Sequence, residues 1–342
     1  MKRSILTILQ YLFFVALGFL FVWLTVKDIK QEEWAHIKSS LRNARSWVVL
    51  PVLSMLLLSH YSRAIRWKIL MEPLGVKPST FNTWAAVMIG YLVNAGVPRL
   101  GEVVKCSILA KYEKVRVDSL VGTIVIERIV DLVCLIIVFI AAILFQGHII
   151  GDYLAESFGN LFRDETGHTS YKQVAFTGVI IVTIIFTIYF LLKRFGHINI
   201  VTKLKNIILG IGQGLNSIRI IKRKGAFLFH TILIWMLYLL STTAGIYALR
   251  ETEHLGLPGG LTTLAVGSVG MIITPGGIGA YPLLVAKLME LYGLDPKTIG
   301  TALGWLLWTA QTLIVLICGV IFSALFSYYN KKKRTIEIRK KY

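Results

Sequence analysis

Six predominantly apolar runs, at about 5–26, 46–66, 119–145, 172–192, 226–249 and 299–326, dominate the chain. A hydrocarbon core ~30 Å thick is crossed by about 20 helical residues, so each run is long enough to span it. With no water at that depth, an unbroken apolar segment must close its own backbone hydrogen bonds and can only be a helix. The expectation is an all-α polytopic membrane protein, one integral membrane domain over 1–342. Composition agrees: 16% of residues are charged, against about 25% in soluble domains. The run 5–26 follows Lys2 and Arg3. It is too long for a signal-peptide core and no small-residue cleavage site follows, so a retained first span is expected.

Two further apolar stretches, about 82–110 and 260–292, are interrupted by glycine and proline. The first contains Asn94, Pro98 and Gly101; the second contains Thr274, Pro275, Gly276, Gly277 and Gly279. A backbone broken at membrane depth is tolerated only where protein or a wet cavity satisfies the freed groups. These stretches therefore read as helix–break–helix hairpins, re-entrant, whose breaks serve structure or gating. A shift of 178 residues lays Gly101 on Gly279, Gly122 on Gly300 and Thr123 on Thr301. It also carries one broken hairpin onto the other, giving pseudo-repeats at about 46–145 and 225–326, with 172–192 linking them. Loop charges place the hairpins on opposite sides, which makes the repeat inverted, an arrangement that recurs in transporters.

The net charge of +19 raises the question of nucleic acid, and its distribution argues against it. Lys and Arg concentrate in 193–224 and in the tail 327–342, flanking spans, as expected for cytoplasmic anchoring beside anionic lipid heads. Both termini are then cytoplasmic and the acidic loop 147–171 lies outside. Residues 27–45, with Trp34, Ile37, Leu41 and Ala44 at helical spacing, read as an amphipathic helix on the outer interface. Leu204 to Ile218 reads as a similar helix inside. Cys106, Cys134 and Cys318 have no ligand spacing, nor do the seven histidines, so neither metal nor cofactor is expected. Oligomeric state has no signature, and no phosphate-binding loop for ATP is present.

The sharpest chemical feature is Glu127, Arg128 and Asp131. Glu127 and Asp131 share a helix face, and Arg128 is placed to pair with Asp131. Asp131 lies ~18 Å into its span. A charge at that depth costs at least ~2.5–3.5 kcal/mol, so the cluster should face the bundle interior, as a substrate or ion site or as a helix-pinning ion pair. The first break adds Arg99, Glu102 and Lys105. Free N–H groups at a half-helix start, with a guanidinium beside them, suit a phosphate. Arg63, Arg66 and Trp67, at the end of the second span, read as an interfacial anchor.

The runs Asn94-Ala-Gly-Val-Pro-Arg-Leu-Gly-Glu102, Gly122-Thr-Ile-Val-Ile-Glu-Arg-Ile-Val-Asp131 and Thr274-Pro-Gly-Gly-Ile-Gly-Ala280 together resemble the lysylphosphatidylglycerol synthase transmembrane family, also called flippase-like membrane proteins. The resemblance spans nearly the whole chain. It implies the membrane half, which translocates lipid, without the soluble domain that attaches the amino acid, since only the basic tail follows the last span. The expectation is therefore a non-enzymatic flippase-like protein of a bacterial inner membrane. It would bind or move an anionic phospholipid or lipid-linked intermediate through Arg99, Glu102, Lys105, Glu127, Arg128 and Asp131, and a partner transferase is possible in such pathways. The alternatives are a secondary transporter of a small solute or ion, and a membrane-embedded enzyme or accessory subunit of lipid or glycan modification.

Overall fold

The computed structural model describes residues 16–97, 100–162 and 221–339. Among these, all regular structure is helical: α1 (Ala16–Val26), α2 (Gln31–Arg42), α3 (Val49–Met71), α4 (Thr80–Gly96), α5 (Leu100–Glu113), α6 (Val117–Phe162), α7 (Lys224–Ile246), α8 (Gly256–Ile273), α9 (Ala280–Glu290) and α10 (Thr301–Arg339). Five described stretches, Ser46–Leu74, Val117–Gly147, Lys224–Ile246, Arg250–Ile273 and Pro296–Lys331, are long and apolar enough to cross a membrane. The chain is an all-α polytopic membrane protein. The expected span 172–192, the inner stripe from Leu204, residues 5–15 of the expected first span and residues 163–171 of the expected acidic loop lie outside the described residues; over 147–162 the chain is not a loop but the continuation of helix α6. On α6 the outward side chains are Ile136, Ile137, Ile140, Ile143, Leu144 and Phe145, all exposed. Such a continuous apolar face would be an aggregation site in water and is an ordinary surface in lipid.

Helices α4 and α5 form the first broken hairpin. The Glu113 carboxylate at the end of α5 accepts from the Ser79 N–H (3.1 Å) and from Asn82 Nδ2 (2.6 Å) at the start of α4. Both ends of the hairpin thus lie at the same end of the bundle. The second hairpin, α8 and α9, also returns to its own side: Leu255, Leu288 and Met289 share one core cluster, roofed by Ile37 of α2. In α2, Glu33 accepts the Lys30 N–H at 2.6 Å and acids occupy its first turn, which suits the helix dipole. Ile37 is buried while Trp34 and Leu41 are exposed, the pattern of a helix lying along a surface.

The two breaks meet. Gly276 has φ +59° and its missing Cβ would stand 3.4 Å from Ala95 Cα. In the first hairpin, backbone touches backbone. A Cβ on Gly101 would fall 1.8 Å from the Gly90 carbonyl oxygen, so both positions need glycine for the arms to close. Asn94 Oδ1 accepts the Gly101 N–H at 2.8 Å, satisfying one of the donors left free where α5 begins. The second break is covered by α1, where a Cβ on Gly279 would come 2.6 Å from the Val22 nitrogen.

Helices α3 and α7 pack antiparallel. Glu72 pairs with Arg223 at one end, Ser62 meets His230 at 2.8 Å further along, and the Arg45 N–H bonds the Ala248 carbonyl at the other end. The 178-residue shift carries 80–96 onto 258–274 and 100–113 onto 278–291, over α8 and α9. Cross-packing is matched in the same way: α6 lies against α8, and α10 lies against α4.

Not every glycine is structural. Gly122 sits in α6 with open space around its missing Cβ. Gly122→Ala is expected to raise stability by up to about 1 kcal/mol through helix propensity, read as a higher unfolding midpoint in detergent. An unchanged or lowered midpoint would mean that this surface is covered.

Candidate functional site: a buried ion cluster

Three helices converge on one buried group of charges. Helix α3 contributes Arg63 and Arg66, three residues apart and so on one face. Helix α6 contributes Glu127 and Asp131, four apart, and α5 contributes Lys105. Arg63 Nη1 lies 2.9 Å from Glu127 Oε1 and 2.5 Å from Asp131 Oδ2. Arg66 Nη2 lies 2.7 Å from Asp131 Oδ1 and 3.6 Å from Glu127 Oε1. Lys105 Nζ lies 3.1 Å from Glu127 Oε2 and 4.5 Å above the Trp67 ring. Burial is nearly complete: the side chains of Arg66 and Glu127 are 0% and 1% exposed. The wall is closed by Tyr238 of α7, whose hydroxyl accepts from Arg63 Nη2 at 3.2 Å. Trp67 Nε1 donates to Thr123 Oγ1 at 2.8 Å.

A second pair continues the group toward the flank of the bundle. Arg128 Nη2 lies 2.6 Å from Glu102 Oε1, with the two side chains 46% and 30% exposed. Glu102 is three residues from Lys105 on α5, and Arg128 adjoins Glu127 on α6. The charges therefore form a ladder, from a half-exposed pair at the helix flank to a buried set against α3.

The geometry corrects two expectations. Arg63, Arg66 and Trp67 are not an interfacial anchor. The apolar run ends near Arg66, but the helix continues to Met71, which keeps both guanidinium groups inside the bundle. Arg128 does not pair with Asp131. It turns to Glu102, because Asp131 faces α3 and already holds two arginines. Of the expected site residues, Glu102, Lys105, Glu127, Arg128 and Asp131 come together; Pro98 and Arg99 lie outside the described residues. The signal available for Arg63 and Arg66 was their three-residue spacing beside a tryptophan.

The counterpart positions in the second half are uncharged. Trp305 rests edge-on against Trp308 at 5.3 Å. Trp308 Nε1 donates to the Gly276 carbonyl at 2.8 Å, and Thr274 Oγ1 donates to the Ile278 carbonyl at 3.0 Å. The second break is thus held by hydrogen bonds to its own carbonyls. Tyr281 accepts from Gln311 at 3.1 Å.

At the end of the bundle where α3, α4, α5 and α6 connect, a cavity of about 380 Å³ is lined by Leu74, Lys77, Lys114, Val115, Arg116 and Ser119, among others. There Arg116 Nη2 donates to Asp118 Oδ2 at 2.6 Å. Among the described residues no three His, Cys, Asp or Glu side chains are placed to share a metal ion.

Comparison with curated proteins and with solved structures returns no match. A family model does match, that of the lysylphosphatidylglycerol synthase TM region, and it covers residues 8–319. That match covers most of the chain, and the chain belongs to the lysylphosphatidylglycerol synthase transmembrane family.

Proposed function

We propose that this chain is a flippase-like protein that binds and translocates an anionic phospholipid or lipid-linked intermediate across a bacterial inner membrane, with both termini cytoplasmic. The observation that carries the reading is the charge ladder from Glu102 and Arg128 at the flank to Lys105, Glu127, Arg63, Arg66 and Asp131 inside. A lipid keeps its tails in the bilayer while its head crosses, so it needs polar groups that reach the bundle's side. A small solute needs an enclosed pocket and no lateral exposure. Intramembrane charge is costly and marks a pathway by default, and here the pathway is open to the side at its outer rung.

The halves 46–145 and 225–326 act in this reading as inverted repeats, supported by the antiparallel packing of α3 on α7 and by the matched cross-packing. The meeting of the breaks at Ala95 and Gly276 supplies the joint. Rocking of one half against the other would expose the ladder to each side in turn. Arg99 would bind the headgroup phosphate, and the basic segments would hold the anionic leaflet.

The test is lipid transport in vesicles reconstituted with the purified full chain. Glu127→Gln, Asp131→Asn and Arg99→Ala are each expected to slow headgroup movement at least about tenfold, the loss that ~1.4 kcal/mol of barrier produces, with the folded fraction checked separately. Unchanged rates in all three variants would remove the site. Transport of a water-soluble anion in place of lipid would favour the solute transporter.

A further inference from the structure

We propose that the buried cluster is a receptor for one phosphodiester monoanion, held by Arg66 and Arg63, so that the chain selects lipids whose heads carry a net charge of minus one. This rests on the lipid reading above and narrows it. It starts from charge. The buried set holds three cations, Arg63, Arg66 and Lys105, and two anions, Glu127 and Asp131. The flanking Glu102–Arg128 pair cancels itself. Among the described residues one positive charge is left over, deep among helices.

The surplus coincides with free donors. Arg66 Nε and Nη1 and Arg63 Nε are buried without a hydrogen-bond acceptor. Arg66 is fully enclosed. Both acids are already engaged by the opposite edges of the same guanidinium groups, so the unpaired nitrogens can only be satisfied by a group brought in. Water can accept from an N–H, but it leaves the charge uncompensated. A phosphodiester has two unesterified oxygens sharing one negative charge, which satisfies donors and charge together.

The same count disfavours other heads. A cationic, aminoacylated head needs a free carboxylate for its ammonium groups. The described ladder has none: Glu102 holds Arg128, Glu127 holds Lys105 and Arg63, and Asp131 holds both arginines. A zwitterionic head has the same difficulty with its single ammonium. Charge balance therefore separates this chain from one that carries the lysylated lipid of the family's name.

The experiment uses the full-length protein in detergent, with native mass spectrometry reading bound lipid from equimolar mixtures. The probes are phosphatidylglycerol, phosphatidylethanolamine, lysylphosphatidylglycerol and phosphatidic acid, with inorganic phosphate as competitor. Wild type should retain phosphatidylglycerol over phosphatidylethanolamine by about tenfold, and over the lysylated lipid by more, a difference of ~1.4 kcal/mol for the first pair. Arg66→Gln cancels the surplus and should bring that ratio near one. Arg66→Lys keeps the charge with fewer donors and should restore part of the preference. Asp131→Asn doubles the surplus and should shift selection toward phosphatidic acid, whose phosphomonoester carries about −1.5 to −2 at pH 7. A thermal midpoint for each variant confirms that the comparison is between folded proteins.

Equal retention of all heads, or preference for the lysylated lipid, would overturn the monoanion receptor and leave lipid binding standing. Displacement of phosphatidylglycerol by millimolar inorganic phosphate would assign the site to a free anion. Absence of any retained lipid would remove the lipid reading with it.

Discussion

Glu127→Gln is expected to cost about 3–5 kcal/mol of stability, the range for removing one partner of a buried ion pair. Glutamine matches glutamate in shape, so no cavity forms and the loss reports the charge together with one acceptor oxygen. Glu127 is the hub of the cluster, taking Lys105 on one oxygen and Arg63 on the other. Without it, Asp131 must balance three cations and Lys105 is left over the Trp67 ring. Equilibrium unfolding in detergent measures the loss. Adding Lys105→Met should recover a large part of it, because it removes the buried cation that the loss of Glu127 leaves unpaired. A single-variant loss below about 1 kcal/mol would place this carboxylate in a wet, high-dielectric site.

Gly101→Val should be equally damaging for a different reason. Its first added atom would sit 1.8 Å from the Gly90 carbonyl oxygen and 2.7 Å from the Asn94 side chain. The carbonyl is backbone and cannot rotate away, so the arms of the hairpin must separate. Separation also breaks the Asn94 bond to the Gly101 N–H. We expect a loss of about 3 kcal/mol, the upper end for overpacking, together with protease sensitivity between α4 and α5. Gly96→Ala is the control. It has nothing within 4 Å and should change stability by no more than about 1 kcal/mol. Equal behaviour of the two variants would show that the hairpin is loosely closed.

The helical membrane architecture was legible in the amino-acid sequence because hydrocarbon leaves one solution to an apolar run. The breaks at Asn94–Gly101 and Thr274–Gly279 were legible because glycine and proline in such a run have few other uses. The carboxylates of the site were visible for the same reason: acids stand out in α6, among valines and isoleucines. Arg63 and Arg66 were harder. Arginine at the end of an apolar run is an ordinary interfacial residue, and only the five further helical residues to Met71 take it inside. The partner of Arg128 was illegible too. Position on one helix offered Asp131 three residues on, whereas Glu102 arrives from another helix, and spacing along a chain carries no information about that. Trp305 and Thr309, which the 178-residue shift lays on Glu127 and Asp131, carry no charge, so the candidate site has no charged counterpart at those two positions.

The contact between Gly90 and Gly101 has a consequence for timing. With backbone against backbone, pinned by the Asn94 side chain, α4 and α5 are expected to move together as one stiff body. Displacements of packed bodies of this kind fall in the microsecond to millisecond range, whereas exposed side chains change rotamer in picoseconds to nanoseconds. The Glu102–Arg128 rung, half exposed at the flank, belongs to the fast class, and the enclosed Arg66 to the slow one. In the lipid reading, the outer rung would open and close thousands of times for each opening of the inner one. Passing headgroups would then be sampled quickly at the rim and admitted slowly, so turnover would follow the stiffness of the hairpin rather than the rate of encounter with lipid.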